Sequence, residues 1–162
     1  MDLNGVLIWG GGMTHCQVKY LYNRNIISIF IYLMSIMNKV NDNGDRAGYW
    51  EKYYSDGQLC WKGYYDNGKR TGYWEYYCSN GKLSWKGYYD NGEPVGYWEE
   101  YHSNGQLMYK GHYDNGYRHG YWEGYYSNGQ LWVKGHYDNG KPVGYWEIYY
   151  SNGELKFKEL HI

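Results

Sequence analysis

Residues 48–71 read GYWEKYYSDGQLCWKGYYDNGKRT, and the Gly-Tyr-Trp-Glu that opens them returns at Gly72, Gly96, Gly120 and Gly144, each time 24 residues on with no insertion or deletion. A fixed period of this length marks stacked supersecondary units. Each copy carries two turn signals. One is Ser-Asn/Asp-Gly, ending at Gly57, Gly81, Gly105, Gly129 and Gly153; the other is Asp-Asn-Gly, ending at Gly68, Gly92, Gly116 and Gly140. Asn-Gly accepts positive φ at both central positions of a type I′ turn, whose twist matches that of the flanking strands. The segments between the turns, 49–54 and 59–65, are rich in Tyr and Trp, which suit a pleated strand. The glycine density works against helix. Each unit therefore predicts a hairpin, and the chain an all-β antiparallel meander of repeated hairpins in one twisted sheet.

Turn length sets the register. A two-residue Asp56-Gly57 turn places Glu51 opposite Lys62 and Trp50 opposite Gly63, and repeats these pairings as Glu75–Lys86, Glu99–Lys110, Glu123–Lys134 and Glu147–Lys158. Opposed charges stabilise a sheet face, and an indole laid over a strand glycine covers bare backbone, so Trp98 is expected over Gly111. A two-residue Asn67-Gly68 turn sets Trp61 against Trp74. One face then holds Trp50, Leu59, Trp61, Gly63, Tyr65 and Trp74; the other holds Tyr49, Glu51, Tyr53, Cys60, Lys62 and Tyr64. Pro94 and Pro142 lack an amide donor and suggest that the Asn-Gly connection opens into a loop of roughly seven residues, joining the units loosely. Ten strands in a single layer bury the indole face only by curling it onto itself.

Around the repeats, 162 residues with 24 Gly, 25 Tyr, 9 Trp and 2 Pro describe a single folded module, and 22% aromatic content argues against disorder. Sixteen basic against 17 acidic residues leave a charge of -1, which supplies no field for nucleic acid and no polybasic membrane patch. Cys16, Cys60 and Cys78 are odd in number and lack metal-type spacing, and no signal-peptide pattern opens the chain, so a reducing, cytoplasmic setting is expected. Residues 1–39 form an N-terminal extension outside the repeat pattern, and residues 40–162 a domain of five units. The apolar run 26–37, IISIFIYLMSIM, is too short for a bilayer span of about 20 residues. It is expected to be a helix or strand capping the sheet. The alternatives are a membrane anchor, and a non-native start with the true one at Met37. Residues 1–36 are expected to be dispensable for the fold.

Chemistry has few footholds. The register brings His112 opposite His119 with His136 diagonal to it, three imidazoles that are the one pattern open to zinc. His112 and His136 equally replace the tyrosines at Tyr64 and Tyr88. A Glu–Lys pair repeated along a ladder reads as structural rather than as an acid–base pair, and no phosphate loop or nucleophile motif is present. The expectation is therefore no catalytic, cofactor-binding or metal-binding residue, no cofactor and no enzyme.

The unit GYWEYYxSNGQLxxKGYYDNGKPV resembles the variant MORN repeat, also found in bacterial YwqK-family antitoxin-like proteins. The resemblance covers about residues 40–162. It departs from the ordinary MORN pattern in placing Trp where a glycine-rich stretch is common. It implies a non-catalytic scaffold of β-hairpins that mediates protein–protein interaction, sometimes at membranes, with an antitoxin role as a special case. The alternative is an aromatic-cleft module for a carbohydrate or quaternary ammonium ligand, held by stacking and cation–π attraction. The partner expected is another protein and not nucleic acid, with membrane association the less favoured option.

Overall fold

In a computed structural model, which describes Ser28 and residues 37–162, the repeats form eleven strands. They are β1 (Lys39–Val40), β2 (Arg46–Tyr53), β3 (Leu59–Asp66), β4 (Lys69–Tyr77), β5 (Leu83–Asp90), β6 (Glu93–Tyr101), β7 (Leu107–Asp114), β8 (Tyr117–Tyr125), β9 (Leu131–Asp138), β10 (Lys141–Tyr149) and β11 (Leu155–His161). Each pairs antiparallel with the next, in sequence order, in one open sheet. The expected N-terminal cap and, Ser28 apart, the apolar run up to residue 36 lie outside the described residues. The ten expected strands are β2–β11; β1 is a short additional strand at the first edge.

Both turns are tight. At Asn67-Gly68 the two residues have φ of 45° and 78°, the pair of positive values that a type I′ turn demands, and Asp66 pairs directly with Lys69. Pro94 does not open this connection, because Asp90 pairs with Glu93 and Tyr89 with Pro94 across Asn91-Gly92. The Pro94 carbonyl accepts from the Gly116 amide at 3.1 Å, just as that of Arg46 accepts from Gly68 at 2.9 Å. The long, loose junction expected from the prolines is therefore replaced by a turn bonded to the preceding repeat. The Ser-Asp-Gly turn is one residue longer than expected. Tyr54 N–H bonds the Gln58 carbonyl at 2.8 Å and Gly57 N–H bonds the Tyr54 carbonyl at 3.0 Å, a three-residue loop ending in a glycine at φ 87°. A bulge at Cys60 then absorbs the extra residue: Lys52 pairs with Trp61 but Tyr53 with Leu59. Cys60, which strict alternation assigns to the polar face, is this extra residue and is only 6% exposed.

The glycine that opens Gly-Tyr-Trp-Glu sets the junction between repeats. Gly72, at φ 64°, lets β4 insert Gly72-Tyr73-Trp74 opposite Gly63 alone, since Tyr64 pairs with Thr71 and Lys62 with Glu75. Trp61 thus faces Tyr76 rather than the expected Trp74. The shift is by two residues, so each side chain keeps its face. Trp74 folds back so that its indole lies on Gly63, where any Cβ would sit inside the ring. Its Nε1–H donates to the Tyr64 and Thr71 carbonyls, both at 3.1 Å. Trp98 repeats this on Gly87, Trp122 on Gly111 and Trp146 on Gly135. The expected pairs of Trp50 with Gly63 and Trp98 with Gly111 are present in the register. Each glycine is nevertheless covered by the tryptophan of the following repeat. Burial of the indoles is local: Trp74, at 0% exposure, packs against Trp61 at 5.3 Å, Tyr65 at 4.9 Å and Tyr89 at 6.0 Å, all on its own or adjacent strands. Its burial needs no curling of the sheet onto itself.

A second set of contacts clips repeat to repeat at the other turn. The Tyr54 hydroxyl donates to the Tyr77 carbonyl at 2.6 Å, Tyr126 to Tyr149 at 2.8 Å, and His102 Nε2 meets the Tyr125 carbonyl at 2.8 Å. The equivalent residue in the second unit is Cys78, too short to reach. Cys78→Tyr should restore the clip and raise stability by about 1 kcal/mol, the net worth of one hydrogen bond. Urea unfolding measures it, and an unchanged midpoint would show that the clips contribute nothing.

Candidate binding surfaces

The polar face is a ladder of alternating charge. Glu51–Lys62, Glu75–Lys86, Glu99–Lys110, Glu123–Lys134 and Glu147–Lys158 are register pairs, as expected. The closed ion pairs mostly bridge neighbouring repeats instead: Lys62–Glu75, Lys86–Glu99 and Lys110–Glu123 at 2.7 Å, and Lys134–Glu147 at 3.0 Å. Only Glu147 also holds its own hairpin's lysine, Lys158, at 2.6 Å. Each carboxylate further accepts from one or two flanking tyrosines, Glu75 from Tyr77 at 2.6 Å and Tyr73 at 3.1 Å, Glu99 from Tyr101 and from Tyr97 at 3.2 Å, Glu147 from Tyr149 alone. Burial alone would raise Glu75, but hydrogen bonds from Lys62, Tyr77 and Tyr73 hold it below the ordinary carboxylate value. Lys158, Tyr149 and Lys134 pull Glu147 from 4.5 down to about 2. Carboxylates held this firmly in the ionised state are poor proton carriers and act as structural links.

A depressed carboxylate contributes stability that is present above its unfolded-state pKa and disappears as pH falls through the folded one. Glu147→Gln should therefore be less stable than the natural chain at pH 7, and the gap should narrow between pH 4.5 and about 2. Thermal melts followed by circular dichroism across that range test this. A gap independent of pH would remove Glu147 from the ladder's energetics.

The three imidazoles keep their expected places, His112 opposite His119. Each is otherwise engaged: His112 packs on Tyr97 at 5.4 Å, His136 on Tyr121 at 5.2 Å, and His119 Nδ1 lies 3.5 Å from Asp138. Among the described residues no group of His, Cys, Asp or Glu is arranged to hold a metal ion.

Above the ladder runs a row of rings. Tyr49–Tyr64, Tyr73–Tyr88, Tyr97–His112 and Tyr121–His136 are cross-strand pairs with centroids 5.2–5.4 Å apart. Tyr64, Tyr73, Tyr88, Tyr97 and Tyr121 are 37–49% exposed. Between successive pairs lie troughs, one of about 210 Å³ walled by Tyr88 and Tyr97 over Gly87, and the next of about 510 Å³ between Tyr97 and Tyr121 over Gly111.

The opposite face differs. The Arg46 guanidinium lies 4.9 Å from the Trp50 ring and 5.2 Å from that of Tyr65, and donates to the Tyr65 hydroxyl at 2.8 Å. Arg70 stands likewise on Trp74 at 4.8 Å and Tyr89 at 5.1 Å, bonding the Tyr89 hydroxyl at 2.9 Å. Arg118 covers Trp122 at 4.2 Å. These aromatic pockets thus already hold a cation of the protein itself. A groove of about 800 Å³ runs past Arg46 and Arg70 along the Asn-Gly turns. The sequence signal for it is one repeat position that reads Arg46, Arg70, Pro94, Arg118, Pro142.

A family model for the MORN repeat variant matches residues 94–115, 118–139 and 142–162, three consecutive units framed from the Pro94, Arg118 and Pro142 position. Residues 94–162 carry three MORN-variant repeats. The hairpins at 46–66 and 70–90 have the same register and the same tryptophan-on-glycine junction, so they continue the series by geometry. No curated protein matches the chain. The MORN variant is generally a non-enzymatic repeat, and these units make a repeat scaffold.

Proposed function

We propose that the chain is a non-catalytic scaffold that binds another protein along the exposed tyrosine row of its ladder face, in a cytoplasmic setting. The observation that carries this reading is the division of labour between the aromatics. Four indoles, Trp74, Trp98, Trp122 and Trp146, are spent on the glycines of the preceding repeats with their N–H groups bonded to backbone, and among the described tryptophans Trp132 alone is exposed, at 38%. Three of the cages that would take a quaternary ammonium are filled by Arg46, Arg70 and Arg118. What stays open is a regular line of tyrosines with polar tips, the residue type enriched where proteins bury surface against each other. An antitoxin role would be one case of this reading, in which the partner is a toxin encoded beside this chain.

Photo-cross-linking from benzoylphenylalanine at Tyr88, Tyr97 or Tyr121, with Gln106 on a turn as control, tests the proposal in the native cell. A discrete protein adduct from the row and none from Gln106 is expected. Retention of the chain on immobilised glycan or choline, without a protein adduct, would contradict it.

A further inference from the structure

We infer that the groove past Arg46 and Arg70 is a second recognition site, for an extended acidic segment of a partner protein that adopts the polyproline II conformation. This rests on the scaffold reading but uses the face opposite the tyrosine row. Three cations, Arg46, Lys69 and Arg70, line the groove against one carboxylate, Asp45. Neither arginine has an acidic partner among the described residues. Each instead spends one N–H on a tyrosine hydroxyl and stands over an indole, 4.9 Å from the Trp50 ring for Arg46 and 4.8 Å from that of Trp74 for Arg70. The guanidinium is thereby held in place while its remaining donors stay available, and its planar fork matches a carboxylate in two bonds.

The spacing selects the conformation of the ligand. Arg46 and Arg70 occupy the same position in adjacent repeats, two strands apart, or about 9.6 Å at the usual strand separation. A polyproline II helix advances ~9.3 Å per three-residue turn, so acidic side chains at every third residue fall on one side at nearly this pitch. In a β-strand, side chains on one face recur at about 6.7 Å and drift out of step after one contact. Tyr89 and the ring of Pro94 supply the aromatic and apolar floor on which such segments lie. The site ends where Pro94 replaces arginine, so it is built for two acidic residues and not for a long polyanion.

Fluorescence anisotropy with the full chain tests this. The probe is a labelled peptide of four Pro-Pro-Glu triplets, compared with a peptide of identical composition whose glutamates are clustered at one end. Expected is saturable, salt-sensitive binding, weaker by about tenfold for the clustered peptide, and weaker by about tenfold again for Arg70→Gln, the loss of one charge-assisted contact. Arg70→Lys, which keeps the charge and loses the fork, should fall between. Equal affinity for the two peptides, or binding to anionic phosphatidylserine vesicles with no preference between peptides, would overturn the site as a reader of spacing, and absence of peptide binding would overturn it outright. The two-peptide comparison needs no substitution, so an unfolded variant cannot mask the result. If peptide binding fails while adducts at Tyr88 persist, this groove is lost and the scaffold reading stands; if both fail, the scaffold reading falls too.

Discussion

Trp98→Ala should lower the free energy of unfolding by about 3–5 kcal/mol, the range for truncating a buried aromatic side chain, while Tyr97→Ala should cost only about 1 kcal/mol. The two residues are neighbours of similar size on opposite faces. Trp98 is 7% exposed, packs on Trp85 at 5.1 Å and Tyr89 at 5.2 Å, and bonds the Tyr88 and Val95 carbonyls. Its removal opens a cavity and takes one N–H donor from the Tyr88 and Val95 carbonyls. Tyr97 is 42% exposed and loses one ring contact and one hydrogen bond to Glu99. Urea midpoints decide the matter, and comparable values for the two variants would show that the indole face is not the core.

Gly87→Ala should cost about 3 kcal/mol, at the top of the range for overpacking a well-filled site. The added methyl would fall inside the Trp98 indole, whose N–H is bonded to backbone and which cannot move aside without releasing it. Gly96→Ala is the natural comparison. Nothing lies within 4 Å of a Cβ there, and only the positive φ of 66° opposes it, so about 1–2 kcal/mol of left-handed backbone strain is the whole cost. If the two substitutions prove equally mild, the glycine on the second strand of each hairpin is a matter of composition and not of space.

Much of this is legible in the sequence because alternation has a period of two and Asn-Gly announces its own turn. Glu51 opposite Lys62 follows from those facts alone. That pairing stands even though the Ser-Asp-Gly loop is one residue longer than its spelling suggests, because the bulge at Cys60 returns the residue within the same hairpin. The junction is harder to read. Nothing in Gly-Tyr-Trp-Glu states that its glycine is left-handed, and a two-residue slip keeps every side chain on its face, so the pattern of apolar and polar residues cannot detect it. Sequence reasoning therefore assigns the tryptophan to the glycine opposite it rather than to the one in the preceding repeat. Pro94 misleads for a related reason. Its missing donor argues for an open loop, yet at that position it is the carbonyl that binds the next turn. The arginine groove is hidden in the sequence because three arginines interspersed with two prolines look like surface variation until the fold lines them up.

The central claim is that each repeat locks onto the one before it through tryptophan on glycine, and a double-mutant cycle between Gly87 and Trp98 tests it most directly. With the indole gone, the methyl added at position 87 has room, so Gly87→Ala should become nearly free in the Trp98→Ala background. The coupling should then be about 2–3 kcal/mol, while the same cycle with Trp74, the partner of Gly87 in the hairpin register, should give less than about 1 kcal/mol. A Gly87→Ala cost that is the same with and without Trp98, or a coupling found on Trp74 instead, would contradict the lock.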